Sequence, residues 1–327
     1  MRAVLVKQFS PVQSIRIEEV PSPDVSPGQV RVRVKAAGIG FVETLKIGGQ
    51  YQTKDPLPFV PGMEFSGIVE EIGEGVSQPG VGARVFGLAP RGALAEEISI
   101  SAGELSRIPD HLSFVQAAAI PQNYLTAFYG LRELAALRPG EFLLVLGAAG
   151  GTGTAAIKVG RMLGAHVIAA ASTDEKRSFV CAQGADAAID YTVGEWRRKA
   201  LKAITGGKAI DVIFDPVGGE ISPVAFRTLG WRGRHLVVGF AGGKIPALPF
   251  NIALLKGSAL IGVDPAQLQR WEPDLLAQLK NDIALSLENR SLEPPPTQTF
   301  PFERFHDAFE AISSRKAEGK IVVEMGL

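Results

Sequence analysis

Leu143-Leu-Val-Leu-Gly147-Ala-Ala-Gly150-Gly151-Thr-Gly153 is the stretch that decides the fold. Its apolar start has the length and composition of a buried strand, and residues 153–163 continue with the spacing of a helix. Between them lie only small residues, the composition that lets a backbone approach a pyrophosphate while the next helix aims its unpaired N–H groups at it. A glycine-rich turn alone is weak evidence, but one that ends a strand and opens a helix stands in the context the chemistry requires. Strict G-x-G-x-x-G spacing is not met, because Ala148 occupies the first glycine position.

Downstream, short apolar strands alternate with helical stretches. Strands are predicted at 142–146, 166–170, 187–190, 211–214, 235–238 and 259–263, and helices at 153–163 and 174–183. Continuously apolar strands alternating with helices imply a parallel sheet covered on both faces, so this half is α/β and doubly wound with six strands. Upstream, the texture is all β. Strands are predicted at 2–9, 14–20, 29–36 and 65–72, divided by Pro- and Gly-rich turns, and Gln29-Val-Arg-Val-Arg-Val-Lys35 alternates strictly, with one face buried and one wet. After Asp264-Pro265 the alternation stops. A proline run at 294–296 precedes a helix carrying Phe305, Phe309 and Ile312 on one stripe, and a last strand covers 320–324. The organisation expected is a β-rich domain of residues 1–121 and 265–327 interrupted by a doubly wound domain of residues 122–264, with ligands in the cleft between them.

Composition removes several classes of function. Lys plus Arg and Asp plus Glu are 34 each, so the chain has no net charge with which to grip nucleic acid or an anionic membrane. The densest basic cluster, Arg197, Arg198, Lys199 and Lys202, reads as a solvated helix face. One cysteine, Cys181, excludes an internal disulfide framework and fits a reducing compartment such as the cytoplasm. The first apolar run is too short for a signal peptide, and residues 113–131, the longest uncharged stretch, are broken by Pro121, Gln122 and Asn123.

The dinucleotide can be narrowed. An NAD site usually has Asp or Glu at the end of the second strand, to hold the ribose 2′-hydroxyl. Here that position is about Ala171, followed by Ser172-Thr-Asp-Glu-Lys176. A hydroxyl and an ammonium suit a 2′-phosphate, which favours NADPH, although Lys176 reads equally as a surface lysine. Tyr191, past the third strand, either closes the far side of the adenosine ribose phosphate or packs half-buried.

The full chain resembles the zinc-independent quinone oxidoreductases of the medium-chain dehydrogenase/reductase superfamily. The resemblance rests on Val34-Lys-Ala-Ala-Gly38-Ile-Gly-Phe41, Leu57-Pro-Phe-Val-Pro-Gly62-Met-Glu64-Phe-Ser-Gly67, Gly73-Glu-Gly-Val76, the glycine-rich turn, Asp190-Tyr191, Asp215-Pro-Val-Gly-Gly219 and Gly319-Lys-Ile-Val-Val323. It implies a GroES-like β-rich substrate domain, a Rossmann domain whose phosphate turn includes Gly147, Ala149, Gly150, Gly151, Thr152 and Gly153, and a homodimer built on an edge strand near 259–263.

Zinc-dependent relatives hold a catalytic metal with Cys and His. This chain has no Cys after Ala36-Ala-Gly38, carries Met63 where the His stands, and shows no ligand spacing among His111, His166, His235 and His306. Without a metal, hydride transfer needs an acceptor that is already electrophilic, such as a quinone or an α,β-unsaturated carbonyl. By resemblance, Tyr51 is the group that donates to the substrate carbonyl, with loop anchoring as its alternative. Gly40 stands where such enzymes often have Asn, which widens the pocket and leaves that contact to backbone or water. Tyr124 either lines the pocket or packs. Asn123 and Thr126 are weaker candidates, Phe240 is placed to flank the nicotinamide, and Asn251 faces the pocket or solvent. Three functions remain open: NADPH-dependent quinone or enone reduction, reduction of a 2-enoyl thioester or alkenal, and dinucleotide binding in a regulatory role with little turnover.

Overall fold

The computed structural model describes residues 1–194, 196 and 200–326; the predicted solvated face at residues 197–199 lies outside the described residues. The chain forms two compact units, Met1–Gln122 with Pro294–Leu327, and Asn123–Glu293.

In the first unit, β1 (Arg2–Leu5) pairs antiparallel with β2 (Arg16–Glu19). β3 (Gln29–Ile39) is the spine of the larger sheet, and its alternation works as predicted, with Val30, Val32 and Val34 buried and Arg33 exposed. β4 (Glu64–Ile72) lies antiparallel along one side of β3 and is followed outward by β5 (Arg84–Leu88), while β6 (Glu97–Ser101) covers the first half of β3 on its other side. β7 (Leu105–Arg107) joins the edge of β5.

The second unit contains β8 (Phe142–Val145), β9 (His166–Ala171), β10 (Ala187–Asp190), β11 (Ile210–Asp215), β12 (Leu229–Val237) and β13 (Ala259–Gly262). They form one parallel sheet in the order β10-β9-β8-β11-β12-β13. All six predicted strands are present. Chain order reverses between β8 and β11, the switch point at which such sheets bind ligands. Helices Gly151–Met162 and Asp174–Ala182 occupy the predicted segments. One helix, Pro273–Glu288, belongs to this unit, whereas the loss of β/α alternation after 264 had placed residues 265–293 with the β-rich domain. That helix buries Leu276, Leu279, Ile283 and Leu287 without any strand following it, so alternation ends before the unit does.

The chain returns to the first unit with β14 (Thr297–Pro301) and β15 (Lys320–Glu324). β15 pairs antiparallel with the second half of β3, so the C-terminal strand completes the central layer. Helix Phe305–Ser313 buries Phe305 and Phe309 against it.

Candidate active site

Three loops leave the C-terminal edge of the parallel sheet together. The register pairs Val145 with Phe214 and Asp215 with Val237, so the turns after β8, β11 and β12 emerge side by side. After β8, Gly147 adopts φ +57°, and a Cβ there would lie 2.8 Å from Val217 Cγ2. A Cβ on Gly153 would meet Gly147 O at 2.5 Å and Ala148 Cα at 2.6 Å. The turn therefore folds flat onto its own helix only because residue 153 lacks a side chain. Gly150 caps that helix in an extended conformation and has nothing within 3.5 Å of its missing Cβ, whose first neighbour is Gly147 O at 3.7 Å. The first intrahelical bond shown runs from Thr154 N to Gly150 O, which leaves the amides of Gly151, Thr152 and Gly153 without intrahelical partners. An open backbone cradle at a helix N-terminus fits a pyrophosphate. Thr152 Oγ1 donates to the buried Asn123 Oδ1 at 3.1 Å and steadies the turn, a role for Asn123 that the sequence did not disclose.

The loop after β11 is organised by Asp215. Its Oδ1 accepts from the amides of Val217 and Gly218, both at 2.9 Å, while Oδ2 accepts from Ser222 Oγ and bonds His235 Nε2 at 2.9 Å. Burial pushes this carboxyl up, but the hydrogen bond and charge of His235, with Ser222 and Gly218, outweigh it and hold the group below the usual aspartate range. The turn it fixes puts Gly218 at φ +67°, where a Cβ would lie 2.8 Å from Phe240 Cδ1. Phe240, three residues beyond β12, is thus braced from below. In the sequence, the turn-forming residues of Asp215-Pro-Val-Gly-Gly219 are the signal for this role.

At the adenosine end, Asp190 pairs with Ala171, so Ser172 and Tyr191 leave adjacent strands at one level. Thr173 caps the next helix, its Oγ1 accepting from Lys176 N at 3.3 Å. Ser172, Lys176 and Tyr191 are all half-buried. Sequence reasoning missed Arg177. Its guanidinium pairs with Asp174 and, at 3.0 Å, with Asp190, which places a second cation beside Lys176 and neutralises two acids in that corner. Asn251 is exposed and stands in the helix Phe250–Lys256. Tyr124 is fully buried and its hydroxyl donates to Glu293 O, an arrangement that suits packing.

In the first unit, Gly40 caps the helix Phe41–Ile47 in extended conformation and is half-buried, as is Tyr51. Lys46, at the far end of that helix, donates to Pro90 O at 2.6 Å and pairs with Asp55 at 3.1 Å, and its Nζ lies 3.9 Å from Met63 Sδ. Asp55 also pairs with Arg91 at 3.3 Å. The segment around Tyr51 is thus tied to the 90–91 turn by charge. An ammonium lies beside Met63, and among the described residues no group of three or more His, Cys, Asp or Glu could hold a metal ion. A thioether-bearing residue at the His position, with a cation alongside, does not fit a catalytic zinc.

Two family profiles match the chain: "Alcohol dehydrogenase GroES-like domain" over residues 26–110 and "Zinc-binding dehydrogenase" over residues 151–281. The quinone oxidoreductase-like protein 2 of Rattus norvegicus is 37% identical over 314 residues, covering 96% of this chain and 89% of its own. The quinone oxidoreductase of Thermus thermophilus, solved also with NADPH, superposes with a TM-score of 0.85 at 34% identity, covering 99% of this chain and all of its own. The CurK enoyl reductase superposes with a TM-score of 0.90 at 26% identity, covering 99% of each chain. The chain belongs to the medium-chain dehydrogenase/reductase superfamily, among its quinone oxidoreductases. It is an NAD(P)-dependent oxidoreductase of that superfamily and takes a nicotinamide dinucleotide. No described helix is long and apolar enough to cross a membrane.

Proposed function

We propose that the protein reduces a quinone or an α,β-unsaturated carbonyl with NADPH, without a metal. The observation that carries this reading is the set of side chains at the positions of metal ligands. The segment after Ala36-Ala-Gly38 carries no Cys, Met63 stands in place of the His, and the Lys46 ammonium lies 3.9 Å from Met63 Sδ. An alcohol could not be activated as a zinc alkoxide there, so the acceptor must already be electrophilic.

Gly147, Ala149, Gly150, Gly151, Thr152 and Gly153 hold the pyrophosphate, through free amides at the helix N-terminus. Ser172, Lys176 and Tyr191 surround the 2′-phosphate, with Arg177 as an added cation. The missing acid at Ala171 supports NADPH over NADH, because an acid there would repel the phosphate. When bound, the nicotinamide supplies the hydride. Phe240, braced by the Asp215 turn, flanks its ring. Tyr51 donates a hydrogen bond to the acceptor carbonyl, and Gly40 borders the acceptor. The buried, committed hydroxyl of Tyr124 supports its packing role instead. The protein works as a homodimer joined at β13, and its single cysteine suits the cytoplasm.

The test follows NADPH and NADH oxidation by absorbance with an ortho-quinone, a para-quinone, a simple enone and a crotonyl thioester. Turnover of quinone or enone, with kcat/KM for NADPH about tenfold or more above NADH, supports the reading; that ratio corresponds to about 1.4 kcal/mol. Tyr51→Phe should lower kcat on the same acceptors about a hundredfold to a thousandfold, the range for losing one hydrogen-bond donor to a developing oxyanion. Preference for the thioester would move the chain to the enoyl reductases, which the likeness to CurK keeps in view. NADPH binding without turnover of any acceptor would leave a regulatory dinucleotide-binding protein.

A further inference from the structure

The first unit buries three ionisable side chains together, and the function above uses none of them. Glu43, Glu64 and Lys320 are 2%, 1% and 5% exposed. They come from the helix Phe41–Ile47, the first residue of β4 and the first residue of β15. Glu64 is fully engaged: Oε1 takes the Lys320 ammonium, and Oε2 accepts the amide of Gln122 at 3.1 Å. Its charge and that of Lys320 cancel. Glu43 is the surplus acid. Its Oε2 accepts the Gly40 amide at 2.8 Å, and no cation is paired with it among the ion pairs described. A lone buried carboxylate is costly, and such a group relieves the cost by keeping its proton. Burial pushes the Glu43 carboxyl up, Glu64 adds to that push, and Lys320 and the Gly40 amide only partly offset it.

The helix Phe305–Ser313 carries His306, whose Nε2 bonds Ile15 O at 3.1 Å, Asp307, paired with Arg304, and the exposed Glu310; the charges that act on Glu43 are those of Lys320 and Glu64. The helix Phe305–Ser313, which packs on the Glu43 helix, buries Phe305, Ala308 and Phe309. The helix Phe114–Ala118, packed on β3 and β4, has no titratable residue. On the Glu43 helix itself, the Lys46 ammonium is committed to Asp55 and Pro90 O.

Gly40 lies directly in front of this cluster. A Cβ on Gly40 would have Glu43 Oε2 at 3.5 Å and Lys320 Nζ at 3.7 Å as its nearest neighbours. Any side chain at residue 40 would stand across those two atoms. Glycine leaves only a hydrogen between them and the half-exposed face of the loop. The backbone does not explain the glycine, since φ −145° and ψ −170° suit any residue.

We propose that Glu43 is the proton store of the reduction, and that Gly40 is the opening through which its proton leaves. This inference rests on the acceptor lying at Gly40 in the function proposed above. Hydride from the nicotinamide forms a C–H bond on the acceptor, and the displaced electron pair moves onto the carbonyl oxygen. The Glu43 O–H bond breaks, its proton passes through one water to that oxygen, and an enol O–H forms; with a quinone this product is the keto tautomer, which becomes the hydroquinone when the new C–H proton is lost to solvent and the second oxygen takes a proton from it. The resulting carboxylate is reprotonated from solvent. Tyr51 polarises the carbonyl throughout and keeps its own proton.

Two measurements test this on the full-length protein. Infrared difference spectra of wild type against Glu43→Gln, taken across a pH series, read the acid directly and without turnover. A carboxylic-acid C=O band at neutral pH that is absent from Glu43→Gln is expected; its absence from wild type overturns the proposal. Steady-state reduction of the enone or quinone at saturating NADPH reads the transfer. Wild-type kcat should fall as pH rises through the raised Glu43 value. In Glu43→Gln kcat should drop about tenfold or more and lose that limb, with NADPH affinity unchanged; Glu43→Asp should recover part of both. Gly40→Ala should lower kcat severalfold at unchanged Tm, since its Cβ fits in ordinary contact and only closes the opening. A Glu43→Gln enzyme with wild-type kcat and the same alkaline limb overturns the proposal, as does a Gly40→Ala enzyme of full activity should Glu43→Gln fail to fold. If wild type reduces no acceptor, the parent function falls and the delivery step with it, while the infrared band still reports whether Glu43 holds the proton.

Discussion

Four donors converge on the Asp215 carboxylate: two backbone amides, the Ser222 hydroxyl and His235 Nε2. An ionised carboxylate accepts only, so Nε2 carries the hydrogen toward it, while Nδ1 finds no partner among the described residues. Asp215→Ala leaves all four donors unmet in a buried site, and should cost about 3–5 kcal/mol. Asp215→Asn keeps one accepting oxygen and should cost less, about 1–3 kcal/mol. Urea unfolding measures both. The pH dependence has a definite sign. Because the folded carboxyl lies below its usual range, the stability it contributes is present above the ordinary aspartate pKa and is lost as pH falls through the lower folded value. Asp215→Asn should therefore flatten the acid limb of the stability curve. Glu43 has the opposite sign. Its raised folded pKa means its contribution is complete below the ordinary glutamate value and lost as pH rises through the folded one. The gap in Tm between Glu43→Gln and wild type should shift in favour of the variant toward alkaline pH.

The strand elements show which parts of the structure were legible. β8, β9 and β11 could be read because each is a short apolar run buried in a parallel sheet, and the pattern needs no knowledge of neighbours; β13 has the same apolar composition but lies exposed at the sheet edge. The Rossmann turn was legible because its constraint is local, as the Gly153 contacts with Gly147 and Ala148 demonstrate. β5, β6, β7 and β14 were not predicted. Arg84-Val-Phe-Gly-Leu88 and Thr297-Gln-Thr-Phe-Pro301 mix polar and apolar residues, and pairing partners decide their state. The buried cluster of Glu43, Glu64 and Lys320 joins three distant segments and has no local signal at all. Arg177 went unnoticed for a related reason, since its partner Asp190 belongs to the next strand. That corner makes a prediction for the element. If the β9 end and its helix read the 2′-phosphate, Lys176→Ala should raise KM for NADPH about tenfold and leave KM for NADH unchanged, because only one cofactor carries the phosphate. Arg177→Ala should also weaken NADPH, but it frees Asp174 and Asp190 as well, so its effect should exceed that of Lys176→Ala. Initial-rate kinetics with both cofactors decide it, and equal losses for NADPH and NADH would reassign the corner to general folding.

At the scale of the whole molecule, the second unit carries an apolar surface that a monomer has little reason to keep. Among the described residues β13 pairs only with β12 and is the open edge of the parallel sheet, and Leu260 on it is 50% exposed. Beside it, Trp231 is 74% exposed and packs over the Gly257 cap of the helix Phe250–Lys256, which presents Phe250, Leu254 and Leu255 to solvent. An exposed edge strand with an apolar rim invites another strand, and natural sheets normally blunt such an edge with charge or proline. Ala259-Leu-Ile-Gly262 has neither. A second copy, related by a two-fold axis, would satisfy the edge through antiparallel pairing and cover both patches with the same surface. The wild type should therefore sediment as a dimer at micromolar concentration. Leu260→Asp places like charges near one another across the axis and should weaken association about a hundredfold, roughly 2.7 kcal/mol, giving monomer in sedimentation velocity. Leu254→Asp, on the rim of the patch, should weaken it less. Wild type that sediments as a monomer, or a Leu260→Asp variant that stays dimeric, would place the interface elsewhere and leave the β13 edge to another partner.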